Sequence, residues 1–316
     1  MAEVQTATGP VDSGELGITL SHEHLFIHST GLQHQYPWLY DREAAVEHVA
    51  LELKDAAGAG VGTVIDVTTP DLGRDVEMIA EASRRSGVRV IVPTGIWLEI
   101  PRLFQRRFDG RSGADADETA EIFAREIERG AAGTSVRAGV IKVANNRPPG
   151  IGEAEETILR GAARAARRTN VPISTHTSPY DIGREQVRIF ADEGLPPHLA
   201  AIGHSFTDDI DYLRSVLEAG HYLSIDHFGR DREEEPAVLD TVAALCAEGH
   251  APRLMLGHDW GGEMDWRPHE AHRPPSTWRY VPERGRAELE RRGVSRDDID
   301  SMLIRGPAAF LSGDAP

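Results

Sequence analysis

The chain is poor in cysteine, in positive charge and in long apolar stretches. Cys246 is the single cysteine among 316 residues, so no disulfide can form within the chain, and a cytoplasmic setting is expected. With 34 basic against 51 acidic residues the net charge is −17, which argues against nucleic acid or an anionic membrane surface as a partner. A small neutral or amphipathic substrate fits better. The first residues, Met1-Ala-Glu-Val-Gln-Thr-Ala-Thr8, hold neither a basic cluster nor an apolar run, and no later segment approaches a membrane span, so a soluble, unexported protein is expected. No linker rich in glycine, serine or proline divides the chain. One domain over 1–316 is expected.

What is present begins with Ile18-Thr-Leu-Ser-His22-Glu-His24-Leu25. Side chains two apart on a β-strand share a face, so His22 and His24 can grip one metal ion only if this segment is a strand. Apolar Ile18, Leu20, Leu25 and Ile27 around them support that. Glu23 does not make a zincin motif, which needs a helix with its histidines four apart. Two imidazoles cannot complete a tetrahedral site, so further ligands must come from elsewhere.

Short β-branched runs recur at Thr63–Val67, Val88–Val92, Ala138–Val143, Val171–Thr175, Leu199–Ile202, Tyr222–Ile225 and Arg253–Leu256. Amphipathic segments of helical period separate them: Asp41–Ala57, Gly73–Ser86, Asp117–Glu128, Glu153–Thr169, Gly183–Glu193, Asp209–Ala219 and Glu233–Ala247. Several of these stop at a glycine, as at Gly87. Eight strands alternating with helices predict an α/β fold, a (β/α)₈ TIM barrel. A doubly wound open sheet has the same periodicity and stays open. The Pro-rich stretch Arg267–Pro282 falls where a barrel places a substrate loop, and Glu283–Leu311 reads as closing helices.

A barrel builds its active site at the C-terminal ends of its strands. Those ends carry Lys142 on the fourth strand, His176 on the fifth, His204 on the sixth and Asp259 on the eighth. Together with His22 and His24 they place four imidazoles, an amine and a carboxylate at one mouth. Such donors suit zinc, manganese, iron or cobalt without choosing among them. Lys142 is the odd member, because an ammonium repels a cation. It becomes a ligand only as a carbamate made with carbon dioxide, and the alternative is a buried lysine paired with a carboxylate.

His22-Glu-His24, Gly139-Val-Ile-Lys142, Thr175-His176-Thr177, Ile202-Gly203-His204, Ile225-Asp-His227 and Gly257-His-Asp259 resemble, in order, the motif series of the phosphotriesterase family in the amidohydrolase superfamily. The likeness runs from about Val4 to Leu311. It implies a hydrolase with two divalent metal ions, zinc first among the candidates. His22, His24 and Asp259 would hold the buried ion and His176 and His204 the exposed one, with N6-carboxylysine at Lys142 and a hydroxide bridging the pair. It also implies that Asp259 shuttles the proton, with His227 a plausible partner.

The chain departs from the family at one turn. Members usually carry an aspartate three residues after the strand-six histidine, and here that residue is Thr207, followed by Asp208 and Asp209. Asp208 would serve as relay if the turn were reshaped; otherwise Asp208 and Asp209 open the next helix as caps. All five tryptophans, Trp38, Trp97, Trp260, Trp266 and Trp278, follow strands one, three or eight, suggesting an apolar pocket with Trp97, Trp260 and Trp266 as its wall. Trp97 and His227 resemble the organophosphate-cleaving members, while Leu256-Gly-His-Asp259 and Met264-Asp-Trp266 resemble the lactonases. The leading expectation is a lactonase or esterase acting on acyl-homoserine lactones or related lactones, with promiscuous phosphotriesterase activity. A true phosphotriesterase or an amidase are the enzymatic alternatives. A non-catalytic barrel would show a broken ligand set, and all six positions are intact. Family members are often dimers, but no periodic seam in this chain marks one.

Overall fold

The computed structural model describes residues 2–105, 115–265 and 278–316. The strands are β1 (Glu3–Thr6), β2 (Gly9–Asp12), β3 (Ile18–Ile27), β4 (Val61–Asp66), β5 (Arg89–Ile91), β6 (Pro93–Ile96), β7 (Val140–Asn146), β8 (Ile173–Ser178), β9 (Ala200–Ile202), β10 (Tyr222–Ile225), β11 (Leu254–Leu256) and β12 (Gly261–Met264). The helices are α1 (Leu32–Gln35), α2 (Arg42–Gly58), α3 (Val76–Ser86), α4 (Ala116–Arg129), α5 (Glu153–Thr169), α6 (Gly183–Asp192), α7 (Ile210–Glu218), α8 (Glu235–Ala247), α9 (Arg286–Arg291), α10 (Arg296–Asp300) and α11 (Gly306–Ser312). Aspartates start several of them: Asp41, Asp75, Asp115 and Asp209 each accept a first-turn backbone N–H. Gly87, at φ 77°, ends α3 in the left-handed conformation that glycine adopts at least cost.

Among the described residues, every strand pairing apart from the β1–β2 hairpin is parallel, and neighbours follow chain order: β12-β3-β4-β5 in one ladder and β6-β7-β8-β9-β10-β11 in the other. Val92 alone separates β5 from β6, whose first residue, Pro93, brings no N–H to the ladder. Past β11 the chain returns to the first strand: Asp259 N–H donates to the His22 carbonyl and His24 N–H to that of Trp260, both at 2.8 Å. This is the strand order of the expected (β/α)₈ barrel. Among the described residues no helix is long and apolar enough to cross a membrane.

The expected strands all form, with shifted ends. The sequence reading missed β1 and β2, β6 from Pro93 onward, and β12, whose Gly261-Gly262 start has no apolar run and is set by pairing Gly261 with His24. A smaller apolar cluster gathers Ile65, Ile91, Val140, Ala201, Tyr222 and Met255 from the strands, with Val4 from the hairpin and Phe310 from α11. Lys142 lies two residues beyond Val140 on the same face of β7. The barrel's apolar filling thus gives way to polar groups toward the C-terminal strand ends.

Candidate metal centre

His22 and His24 project from β3, Lys142 from β7 and His176 from β8, while His204, His227 and Asp259 lie just past β9, β10 and β11. His22 and Lys142 are buried, at 0% and 1% exposure, and His24 and His204 nearly so. His22 Nε2 stands 2.8 Å from Lys142 Nζ and 3.7 Å from Asp259 Oδ1, which lies 3.3 Å from His24 Nε2. His204 Nε2 faces His176 Nδ1 at 2.6 Å. Ligand atoms of His22, His204 and Asp259 all lie within 4.8 Å of one another, as do those of His204, Asp226 and His227.

Two backbone features allow this crowding. His204, His227 and Asp259 have φ of 50°, 75° and 51°, a left-handed conformation that L residues adopt at a cost and that clusters at functional sites. Gly203 lets β9 close on its neighbours: a Cβ there would stand 1.9 Å from the Thr175 carbonyl oxygen and 3.3 Å from His22 Cε1.

Oxygen atoms stand against the outward ring nitrogens, and the Asp226 carboxylate, which can only accept, fixes the tautomer of His204. His24 Nδ1 meets Thr68 Oγ1 at 2.8 Å, and His176 Nε2 meets Asn146 Oδ1 at 2.9 Å. Asp226 serves two rings, with Oδ1 2.7 Å from His204 Nδ1 and Oδ2 3.0 Å from His22 Nδ1. With its Nδ1 proton held outward by Asp226, His204 turns the Nε2 lone pair toward His176 Nδ1, and a cation beside these two nitrogens would be bound by both. The donor set therefore fits a divalent metal.

Electrostatics agree. Burial, reinforced by the Lys142 charge, pushes His22 down to about 3, and burial with the neighbouring His204 puts His176 well below the usual imidazole value. Burial pushes Lys142 down to about 7, although Asp259 and Asp226 pull the other way. Burial also opposes ionising Asp226 and Asp259, but histidine hydrogen bonds and charges outweigh it and hold both carboxyls well below their ordinary range. Neutral imidazoles and ionised carboxylates are the forms that bind metal.

The reading from sequence missed Asp226, Arg230 and the contacts of Glu23. Arg230 Nη2 donates to Asp259 Oδ2 at 3.0 Å, and His227 Nε2 reaches the same oxygen at 3.1 Å. Asp226 was visible beside His227, but only the fold shows that it lies under two ligand candidates from other strands. The turn after His204 is not reshaped into a relay: Asp208 is exposed and Asp209 caps α7 through Tyr212 N–H.

A cavity of about 450 Å³ opens over the cluster, with Ile27, Leu72, Trp97, Trp260 and Met264 as apolar wall and His24, His176, His204 and Asp259 at its floor. Trp97 N–H is held by both oxygens of Asp71, at 3.0 and 3.1 Å, and its ring meets His176 edge to face at 5.8 Å. The other tryptophans do not all join it. Trp278 is fully buried in the core, and Trp38 is 75% exposed beside Tyr36. Trp266 and most of the Pro-rich stretch lie outside the described residues.

A sequence model of the phosphotriesterase family matches residues 2–311. The chain belongs to the phosphotriesterase family. It is 34% identical to a phosphotriesterase homology protein of Mycobacterium tuberculosis over 97% of both chains, and 32% identical to an aryldialkylphosphatase of Saccharolobus solfataricus over 96% of this chain and 97% of that one. An N-acetyltaurine hydrolase of Tetraodon nigroviridis is 24% identical over 98% of each. Among solved structures, the phosphotriesterase from Mycobacterium tuberculosis superposes with a TM-score of 0.90 at 32% identity, covering 98% of both chains. As a member of the phosphotriesterase family, the chain is a hydrolase acting on ester bonds, and its histidine and aspartate groups are placed to bind metal.

Proposed function

We propose that this protein is a binuclear metal-dependent lactonase, opening acyl-homoserine lactones or related lactones, with phosphotriesters as slower substrates. The carrying observation is the facing pair His176 Nδ1 and His204 Nε2, 2.6 Å apart beneath an apolar-walled cavity. In this reading His22, His24 and Asp259 would hold one divalent ion and His176 and His204 the other. Zinc leads, with cobalt, manganese and iron as alternatives. Lys142 would serve as a ligand once its buried amine had added to carbon dioxide, forming the N–C bond of a carbamate and releasing a proton. When bound, such ions lower the pKa of water and polarise the substrate's carbonyl or phosphoryl oxygen.

The chain's own groups do the rest. Asp259 accepts the proton released as water adds to the substrate, and His227, at 3.1 Å from Oδ2, carries it toward the solvent. The Arg230 guanidinium on the same oxygen keeps the carboxylate in place. Trp97, Trp260 and Leu72 bind an acyl chain and exclude bulk water. A neutral or amphipathic substrate matches that wall, in the cytoplasm and with a homodimer as the assembly to test.

Trp97 and His227 at the site favour a second reading, a true phosphotriesterase, and the N-acetyltaurine hydrolase relative keeps amides in the comparison. Rates on a long-chain lactone, an aryl ester, a neutral phosphotriester and an N-acyl amide rank them. Lactone turnover at background would sink the leading reading. Metal analysis giving near two equivalents per chain supports the enzyme.

A further inference from the structure

Glu23 sits between the two β3 histidines, is 0% exposed, and does not line the cavity that His24 borders. Its carboxylate collects three N–H groups from the chain end across the seam. Oε1 accepts His258 backbone N–H at 2.8 Å and His258 Nδ1–H at 2.7 Å, and Oε2 accepts Trp260 backbone N–H at 3.0 Å. These donors lie immediately before and after Asp259. The N–H of Asp259 itself donates to the His22 carbonyl at 2.8 Å, and His24 N–H donates to the Trp260 carbonyl at 2.8 Å. His258 is tied further, since its Nε2 accepts Val281 N–H at 3.1 Å.

The geometry points to Glu23 as a positioning residue for Asp259. Asp259 holds φ 51°, in the left-handed region that aspartate visits as a single residue at modest cost, and it lies three residues beyond the last ladder residue of β11. Asp259 thus sits in the short passage between β11 and β12, where the chain passes onto β3 through the Asp259 and Trp260 backbone bonds. Two backbone bonds to one carboxylate, on either side of Asp259, add to these and lock both flanking peptides to the strand that carries His22 and His24. Being charged, they are also among the stronger hydrogen bonds a buried chain end can make. The residue that separates the two histidines in sequence thus sets the distance from those histidines to Asp259. The inference rests on Asp259 being a metal ligand, as proposed above.

The test is Glu23→Gln, whose amide can still accept from His258 but turns an NH₂ toward the Trp260 N–H. Circular dichroism and thermal unfolding report whether the variant folds. In the metal-free protein, amide hydrogen exchange at Asp259 and Trp260 is expected to speed at least tenfold, with little change at β7. On titration with cobalt(II), affinity is expected to fall at least tenfold, and the visible absorption band to change as the Asp259 oxygen is lost or displaced. A folded variant with wild-type exchange, cobalt affinity and spectrum overturns the inference. Wild-type protein that takes up no cobalt would overturn the metal reading instead, and the exchange arm alone would then judge the clamp.

If Glu23→Gln does not fold, Glu23→Asp decides, because it keeps the charge but draws the carboxylate back from the backbone N–H groups of both His258 and Trp260. Its cobalt affinity is expected to fall at least tenfold and exchange at Trp260 to speed. A folded Glu23→Asp with wild-type affinity and exchange overturns the clamp.

Discussion

Asp226 is bonded to His204 twice, through the ring Nδ1 at 2.7 Å and the backbone N–H at 3.0 Å. The second contact fixes the backbone at a residue with φ 50°, and the first fixes its tautomer. The oxygen that accepts the backbone bond also stands 3.0 Å from His22 Nδ1, so one carboxylate orients one histidine from each proposed metal position.

Asp226→Asn preserves size but replaces one oxygen by an NH₂ that opposes an imidazole N–H. One ring must flip its tautomer or its orientation. Changes of this kind behind a metal ligand typically cost about 10–100-fold in metal affinity or activity. Metal content after dialysis against a graded chelator, measured beside kcat, checks this. Wild-type metal retention would show that Asp226 does not orient the ligands.

Lys142→Ala is expected to lose metal and activity together, because the amine is buried at the centre of the donor cluster, 2.8 Å from His22. Added acetate or bicarbonate is expected to restore part of both by supplying the missing oxygens. Full activity without any such addition would rule out the carbamate.

Trp97→Ala removes an aromatic wall and the edge contact with His176. For a long-chain lactone kcat/KM is expected to fall about tenfold, equivalent to about 1.4 kcal/mol of lost aromatic contact. A short-chain lactone should change much less. Equal losses for both chain lengths would place Trp97 outside the acyl-binding wall.

Two histidines away from the cluster predict acid sensitivity. Burial pushes both His28 and His221 down to about 4. Between that value and the ordinary 6.5 the unfolded chain binds protons that the folded one refuses, so stability is full above about pH 6.5 and falls as the pH drops toward 4. Each residue contributes about 3 kcal/mol to that loss. Urea unfolding of His221→Gln, which keeps a donor near the Nε2 position, should show a shallower pH slope than wild type across this window. An unchanged slope would remove His221 as a contributor.

The fold was legible because barrel strands and helices leave local periodic signals, and the candidate site because its residues sit at strand ends. His22 and His24 required a strand to act together, and β3 provides it. β12 was not legible, since Gly261-Gly262-Glu263-Met264 becomes a strand only by pairing with β3. The tryptophans show the same limit. Position after a strand did not distinguish Trp97 and Trp260, which line the cavity, from Trp278 in the core or Trp38 in solvent. Thr207 marked a changed turn, but only the structure shows Asp209 spent on capping α7.

By itself the sequence determined the strand-and-helix alternation and the order of metal-competent residues along it, because both are carried by local residue types and spacing. The tertiary structure decided what lies behind and across from them. Asp226 beneath His22 and Glu23 gripping both sides of Asp259 are contacts between segments more than 200 residues apart, and Asp226 reaches His204 across a whole strand-helix unit. Such contacts leave no local pattern, since the parallel barrel brings strand ends together only after every intervening helix has packed.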